Sequence, residues 1–553
     1  MLSTVLPVLA VALVLVLCCW SIGSALLAPS SPLVALLCGW CVFLGLCTVS
    51  WVLGLSALAS RPLLWAFFGA GLYLAFRQRR WADHAAAAAC TVVVTGLLLA
   101  PFFRFPGLLI YGVNGTDVWG YLITAEWLQD HSLRQLPVIG VSPMRFNWTW
   151  HVLLIRDRPL NYQSLADLAA AGWLTPAKAC FAYLVALVAT LAAGLAREAR
   201  TFGVKSWLLA APPAIALAFH PIIILPWIAG FLGASLTGLC TALAFATVVR
   251  PRAEAERAHA VALAMLMLAC CAGLYSLKFL YLALALGGGA LLAGGLRLRR
   301  RRDLGPWRRL GRDRRLLGIL AAVAAMAVVT LTLGEDQKVN TGMSQAPLTA
   351  AGHGLNVFGG SSPYVWMGYD PGRTFDRVPW ENPVGLAALV VMTMLLVLAT
   401  WTRWRDEHDL LIPLVLGLCL APLLRTFGDE MIMQKALIVF GFATLVVLAA
   451  ASSELRSLRL GLVAAVICAM PAVRSAHELW DIIYQPTITC TESNLADISD
   501  GQDWRILGYL HYREDRDGYD WAANPRFYHA ITQFLPRPYQ QRLADKYHLP
   551  RPE

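Results

Sequence analysis

The chain has 553 residues, of which 58% are hydrophobic and only 14% are charged, and its mean hydropathy is +0.59. Soluble proteins carry about a quarter charged residues, so most of this chain must form apolar segments that cross a bilayer. The net charge of +11 does not indicate nucleic-acid binding, because the arginines form short clusters between apolar segments, where membrane topology explains them. Composition therefore predicts an all-α polytopic membrane protein and excludes a soluble enzyme.

Thirteen cysteines do not predict a disulfide framework or a thiolate metal site. All except Cys490 lie in apolar runs, where cysteine behaves as a small hydrophobic residue. Cys490 has no partner in soluble sequence. The N-terminal run Leu2 to Leu27 lacks a basic leader and a small-residue cleavage site, and it is expected to be a retained span.

Apolar runs of spanning length, about 20 residues each, recur along the whole chain. Four runs precede a first long polar stretch, six follow it, and four more come after a second polar stretch. The runs cover residues 3–27, 33–58, 62–76, 85–104, 175–197, 206–228, 231–249, 259–275, 278–297, 316–333, 383–401, 410–426, 433–452 and 459–476. This pattern predicts a bundle of about 14 transmembrane helices, in which 62–76 is short for a span.

Arginine-rich connectors fall on one side of this map, which the positive-inside rule makes cytoplasmic. The other side then carries two external loops, 105–174 and 334–382, and the turn 427–432. Residues 1–476 form the transmembrane domain, and residues 477–553 form a small external tail expected to pack near these loops. Connectors 28–32 and 59–61 carry little charge, so the rule leaves the first three segments unoriented. The Ala/Leu/Arg-rich composition predicts a bacterial inner membrane protein whose site faces the periplasm or cell exterior.

Asp117 opens the first polar loop, at the start of a segment that runs to His131. Apolar residues recur in this segment at helical spacing: Val118, Leu122, Ala125 and Leu128. The spacing predicts a short amphipathic helix lying in the membrane interface. Asp117 is then either a carboxylate favoured by the helix N-terminus or a general base facing water. The two roles are compatible.

Asp117, Tyr121, Ala125, Glu126 and Leu128 form a pattern that resembles the first periplasmic loop of the GT-C membrane glycosyltransferases. The following run, Leu128 to Trp150, has an Ile-Gly-x-x-Pro turn and an aromatic segment, and it is similar to the equivalent loop of the actinobacterial galactan arabinofuranosyltransferases. The motif Arg-Thr-x(7)-Gln-Lys-Ala-Leu, Arg425 to Leu437, resembles an Arg-rich, Gln-containing turn in that family.

The resemblance implies a GT-C-type bundle and an inverting transfer of a sugar, arabinofuranose as the best guess, from a polyprenyl-phosphate donor. The acceptor would be a hydroxyl of a cell-envelope glycan or protein, and Asp117 would be the base that deprotonates it. Those enzymes carry a large C-terminal domain, whereas 477–553 is a short tail, so the acceptor stays open. No nucleotide-binding motif is present, and the lipid donor would supply the energy.

A lipid-phosphate leaving group requires fixed positive charge near the outer interface. Arg425 and Lys435 flank the turn 427–432, and Lys278 lies between two apolar runs near the same surface. Each has an alternative role: Lys278 can extend to the interface without a ligand, and the other two can pair with Asp429 and Glu430.

The remaining substrate-binding candidates are polar or aromatic: Tyr121, Arg145, Trp148, His151, His220 and Gln434. Aromatic residues of the loops can stack on sugar faces, but interfacial belts place Trp and Tyr at the same depth without a ligand. His220 lies within an apolar run, where an ionisable residue suggests function but a neutral, hydrogen-bonded imidazole is as common.

No cofactor is predicted besides the lipid donor. Asp370 and Asp376 in the second loop are possible divalent-metal ligands, but a metal site needs more converging oxygen atoms. The expected partners are the lipid-linked sugar, the glycan or protein acceptor and membrane lipids. The main alternative is a transporter or flippase for a lipid-linked or anionic substrate. The absence of a convincing internal repeat and the long external loops favour an enzyme.

Overall fold

The computed structural model describes residues 2–27, 31–104, 108–110, 116–138, 158–201, 232–249, 254–275, 277–301, 311–334 and 490–491, with short stretches between 149 and 156 and between 211 and 219. Eleven helices and one pair of short strands lie within these ranges. They are α1 (Leu2–Leu26), α2 (Pro32–Leu53), α3 (Ala57–Gln78), α4 (Trp81–Arg104), β1 (Leu108–Ile110), α5 (Thr116–Asp130), α6 (Pro159–Gly172), α7 (Pro176–Thr201), α8 (Leu232–Val249), α9 (Glu254–Leu274), α10 (Lys278–Arg301), α11 (Arg314–Leu333) and β2 (Cys490–Thr491).

Seven helices of the described chain are long and apolar enough to cross a membrane. These are α1, α2, α3, α4, α7, α9 and α11, while α8 and α10 contain shorter apolar stretches. The prediction of a helical membrane protein is confirmed at this level. The four runs from residue 383 onward lie outside the described residues, as does most of 206–228, so the number of about 14 spans stays a prediction.

Helix α3 is longer than the apolar run that predicted it. It begins at Ala57 and ends at Gln78, which makes 22 residues. The hydroxyl of Ser56 caps it by accepting a hydrogen bond from the amide of Ala59 at 3.3 Å, as serine at a helix N-terminus commonly does. The capped turn at residues 57–61 supplies the length that 62–76 lacked.

Glycines allow α1 and α2 to pack at very short range. A Cβ atom added to Gly23 would overlap the backbone carbonyl of Ala35, and one added to Gly39 would overlap the backbone of Cys19. Small residues at such crossings are typical of membrane bundles, where close backbone approach maximises van der Waals contact. The two helices therefore form a close-packed pair within the bundle.

Helix α7 packs on α2 through an aromatic cluster. The Trp40 ring stacks on Tyr183 with centroids 5.6 Å apart, and its indole N–H donates to the Thr190 hydroxyl at 3.1 Å. All ten described cysteines are free and buried in this bundle, as predicted for small apolar residues.

Polar contacts tie several helix ends together at one end of the bundle. The amide of Ser31 donates to Glu256 at 2.7 Å, and Arg197 pairs with Asp83 at 3.0 Å. We call this the basic end, because α7 and α9 meet the arginine-rich connectors 197–205 and 250–257 there. Ser31, directly before α2, therefore lies at this end, although no charged residue beside it in the sequence predicts this.

The other end, called the loop end, is where α2 stops and α3 starts. The Arg134 guanidinium donates to the carbonyl of Val52 at 2.6 Å. The Trp65 indole donates to the carbonyl of Ala171 at 3.1 Å. Helices α5 and α6, both from the polar stretch 105–174, thus pack at this end.

Helix α5 agrees with its predicted extent to within one residue. Of its described side chains, from Tyr121 onward, only Glu126 and Asp130 are exposed. The predicted apolar residues Leu122, Ala125 and Leu128 are buried, and the position of the helix in the membrane interface stays a prediction. The helix is covered by α6, which the sequence did not predict and in which every residue from Pro159 to Ala171 is buried.

A two-stranded antiparallel pairing joins β1 to the C-terminal tail. Leu108 pairs with Thr491 and Ile110 with Cys490. Strand β1 ends six residues before α5 begins. Residues 490 and 491 therefore lie beside the segment that precedes α5, and the placement of the rest of the tail lies outside the described residues and stays a prediction.

Candidate functional site

The site begins at the first turn of α5. Asp117 is the second residue of this helix, where a carboxylate interacts favourably with the unsatisfied amides and the helix dipole. The structure describes the backbone of residues 116–120 and the side chains from Tyr121 onward. Tyr121 follows Asp117 by four residues, so it lies on the same helix face about 6 Å further along the axis.

Tyr121 connects α5 to an arginine of the same loop. Its side chain is only 2% exposed, and its hydroxyl accepts a hydrogen bond from the guanidinium of Arg158. The guanidinium carbon also lies 5.7 Å from the Tyr121 ring centre and 5.1 Å from that of Tyr275. Because arginine stays protonated in proteins, this is a permanent positive charge between two aromatic faces.

The chain conformation before α6 sets the position of Arg158. This residue precedes Pro159, the first residue of α6, and it adopts a left-handed backbone with φ of 51°. Proline is favoured at the first helical position, whereas a left-handed backbone is costly for a residue other than glycine. Arg156 has a φ of 52° as well. Such strained residues cluster at functional sites, because surrounding contacts must maintain them.

Residues of α6 and α8 also surround Tyr121. The Tyr162 ring of α6 lies 5.6 Å from the Tyr121 ring. A Cβ atom added to Gly233 of α8 would lie 3.2 Å from both the Tyr121 hydroxyl and the Tyr275 ring. Lys278 starts α10 three residues after Tyr275, and the structure describes its backbone only. Its predicted role at the outer surface stays a prediction.

The loop that follows α5 returns to the same helix. The hydroxyls of Thr124 and Thr149 lie 3.3 Å apart and are buried. Thr124 is three residues after Tyr121, on the neighbouring part of the helix face. The residue directly after Trp148 is thereby held against α5, although Trp148 itself lies outside the described residues.

Most predicted substrate-binding residues lie outside the described part of the chain. Tyr121 is the predicted site residue whose side chain the structure describes, and Asp117 and Lys278 are described by their backbone. The others stay predictions: Arg145, Trp148, His151, His220, Arg425, Gln434 and Lys435. Asp370 and Asp376 lie outside as well, and the described residues contain no group of three or more potential metal ligands.

Arg158 and Tyr275 were missed by the sequence analysis. A signal for Arg158 existed, because a basic residue of the predicted external loop directly precedes a proline that can start a helix. Tyr275 carried no signal, because it ends an apolar run like many interfacial tyrosines. Its contact with Arg158 depends on the packing of α9 against α6.

The chain matched no protein-family model, no curated protein and no solved structure. The similarity of the Asp117 loop to GT-C glycosyltransferases therefore remains a similarity of motifs. What the geometry adds is a helix start that carries Asp117, followed one turn later by Tyr121, whose hydroxyl accepts a hydrogen bond from the Arg158 guanidinium. That combination suits a reaction in which a hydroxyl loses a proton and an anion leaves.

Proposed function

We propose that the protein is an inverting membrane glycosyltransferase. It moves a sugar, arabinofuranose by resemblance, from a polyprenyl-phosphate donor to a hydroxyl of a cell-envelope glycan or protein. The loop end faces the periplasm or cell exterior of a bacterial inner membrane, in agreement with the basic connectors at the other end.

The observation that carries this proposal is the position of Arg158. The sequence placed a candidate base, Asp117, in the first external loop and its candidate phosphate-binding cations, Lys278, Arg425 and Lys435, in other segments. Arg158 donates to Tyr121, which lies one turn after Asp117 on α5. The helix turn that carries Asp117 thus directly precedes the tyrosine that Arg158 contacts, which supports a site formed by both residues.

In the proposed reaction, Asp117 accepts the proton of the acceptor hydroxyl while the oxygen of that hydroxyl attacks the anomeric carbon of the donor sugar. The bond between that carbon and the phosphate oxygen breaks on the opposite face, so the configuration inverts. Polyprenyl phosphate leaves with the bonding electron pair. Arg158 stabilises the phosphate charge in a site with little water, and Tyr121 holds the guanidinium in place.

The other predicted cations keep supporting roles in this proposal. Lys278 starts α10 close to Tyr275, so it is placed to extend the positive surface along the donor phosphate. Arg425, Gln434 and Lys435 are proposed to bind the donor from the turn 427–432. A divalent ion is not needed for the proton transfer or for the charge balance described here.

The direct test is Asp117→Asn, assayed with purified protein in proteoliposomes and a radiolabelled polyprenyl-phosphate sugar. General-base catalysis contributes about 10²–10⁴-fold, so the transfer rate should fall by that factor while donor binding persists. Asp130→Asn is the matched control, since Asp130 is an exposed carboxylate at the other end of α5. Transfer that persists at the wild-type rate in Asp117→Asn would exclude the base assignment.

A transporter or flippase for a lipid-linked or anionic substrate is the second candidate. It is favoured by the buried polar residues of α6, because polar groups inside a membrane bundle often mark a substrate or ion path. These residues are Asn161, Gln163, Ser164 and Asp167. Movement of a fluorescent lipid-linked sugar across vesicle membranes, without any sugar transfer, would support this candidate over the enzyme.

A further inference from the structure

Asp167 is a carboxyl group enclosed by neutral polar side chains. It lies on α6, which is not one of the spanning helices, and it is 0% exposed. Gln163, one turn earlier, donates from its side-chain amide to Asp167 Oδ1 at 2.8 Å. The Ser60 hydroxyl of α3 lies 2.6 Å from the same oxygen. Ser60 is three residues from the start of α3, so the cluster lies about 5 Å inside the loop end.

The contacts of Ser60 show which protonation state this cluster accommodates. Its Oγ is 2.6 Å from Asp167 Oδ1 and 3.0 Å from the carbonyl oxygen of Ala57. A hydroxyl has one hydrogen, so it donates to only one of these two acceptors. A protonated carboxyl resolves the conflict, because it donates to Ser60 Oγ while Ser60 donates to Ala57. Every short contact is then a hydrogen bond.

The groups that face the carboxyl from α2 and α3 do not supply a compensating charge. Cys47 and Ser50 of α2 approach it, and a thiol and a hydroxyl are neutral donors. Arg61 follows Ser60, but its guanidinium lies 5.6 Å from the Trp65 ring centre and 5.9 Å from that of Trp173.

The remaining helices packed on α6 contribute neutral groups too. Tyr183 of α7 interacts with Cys47 and with Ser164 of α6. Cys270 of α9 interacts with Cys47. From α5, the Gln129 amide donates to the carbonyl of Ala166 at 3.1 Å, and the α5 carboxylates Glu126 and Asp130 are exposed.

We infer that Asp167 is a proton-binding site, neutral when α6 is tightly held between α2 and α3, and that loss of its proton loosens this helix. Burial raises the pKa of Asp167 to about 7, while hydrogen bonds from Ser60 and Gln163 oppose the increase. An unfolded aspartate has a pKa of about 3.9. The stabilisation is therefore complete below that pH and is lost as the pH rises through about 7.

This proton site acts on the loop end through α6 itself. Arg158 and Tyr162 lie at the start of α6 and contact Tyr121, while Asp167 anchors the same helix two turns later. A charged Asp167 weakens that anchor. The inference stands whether or not the protein transfers sugars, because it concerns the packing of α6 alone.

Infrared difference spectroscopy of the purified full-length protein between pH 5 and pH 9 tests the site directly. We expect a protonated carboxyl band that disappears with a midpoint near the Asp167 pKa of about 7 and that is missing in Asp167→Asn. Asp130→Asn should retain the band. A spectrum with no carboxyl titrating in this range, or a band unchanged in Asp167→Asn, would overturn the inference.

Thermal unfolding over the same pH range provides the second readout. The unfolding temperature of the wild type should fall as the pH rises, and that of Asp167→Asn should not. Ser60→Ala removes the hydroxyl that lies 2.6 Å from Asp167 Oδ1, so it should shift the infrared midpoint away from the wild-type value. The Ser60→Ala variant also tests the proposal if Asp167→Asn does not fold. Ser56→Ala, which removes only the α3 cap, should leave the midpoint unchanged. Stabilisation by sodium instead of protons would contradict the proposal.

Discussion

Arg158 combines three properties that seldom occur together in one side chain. Its backbone is left-handed, its guanidinium donates to a buried tyrosine hydroxyl, and two aromatic faces lie beside it. Each property restricts its freedom, so little ordering remains to be done when an anion binds. A pre-organised cation binds phosphate with a smaller entropic cost than a flexible lysine.

Arg158→Gln should weaken binding of the polyprenyl-phosphate donor about tenfold to a hundredfold, because hydrogen bonds to charged groups contribute about 1.5–3 kcal/mol. Equilibrium binding of labelled donor in detergent measures this change. Arg156→Gln is the matched control, since Arg156 shares the loop and the left-handed backbone but is exposed. Equal losses in the two variants would mean that general charge, and not the Tyr121 site, attracts the donor.

The Tyr121→Phe substitution separates the role of the Tyr121 hydroxyl in positioning Arg158 from the role of the Tyr121 ring in packing. The phenylalanine ring retains the contact with Tyr162 but gives Arg158 no hydroxyl to donate to. We expect donor binding to weaken by less than in Arg158→Gln, with the unfolding temperature nearly unchanged. A variant that binds donor as tightly as the wild type would show that Tyr121 does not position the guanidinium.

At the scale of helices, the sequence predicted the extent of α5 but not the helix that packs on it. The extent of α5 was predicted to within one residue, because capping and apolar spacing are local properties. The helix that packs on α5, α6, was not predicted. Helix α6 is nearly all buried. Its polar residues led to the prediction that this segment belongs to the external loop.

Gly39→Val tests the close packing of α1 on α2. Because the added Cβ atom would overlap the Cys19 backbone, the two helices must separate, and overpacking of this kind costs about 1–3 kcal/mol or more. The unfolding temperature in detergent should fall clearly. Gly45→Val on the same helix meets no atom within 4 Å and should have little effect. A similar decrease in both variants would point to helix propensity instead of packing.

At the scale of the whole chain, the bundle has two chemically different ends. Ion pairs and the contact from Ser31 to Glu256 join the helices at the basic end. The loop end carries α5, α6 and the pairing of β1 with β2. This separation matches the alternation of basic connectors and long loops in the sequence.

Cysteine labelling of intact cells tests how these ends face the membrane. Trp173→Cys places a thiol at an exposed position of the loop end, and Arg79→Cys places one at an exposed position of the basic end. A membrane-impermeant maleimide should label the first variant from outside and the second only after lysis. The unsubstituted chain gives the background, since its ten described cysteines are buried. The reverse labelling pattern would invert the orientation.

The sequence by itself determined the membrane class, the position of the described spans and the extent of α5, because hydropathy and helix starts are local properties. It also singled out Asp117. Only the tertiary structure decided that Arg158 meets Tyr121, 37 residues away in the chain, and that Asp167 meets Ser60, 107 residues away. It also decided that Ser31, directly before α2, lies at the basic end. These contacts depend on how helices pack, and no local pattern along the chain encodes which distant side chains a helix face will meet.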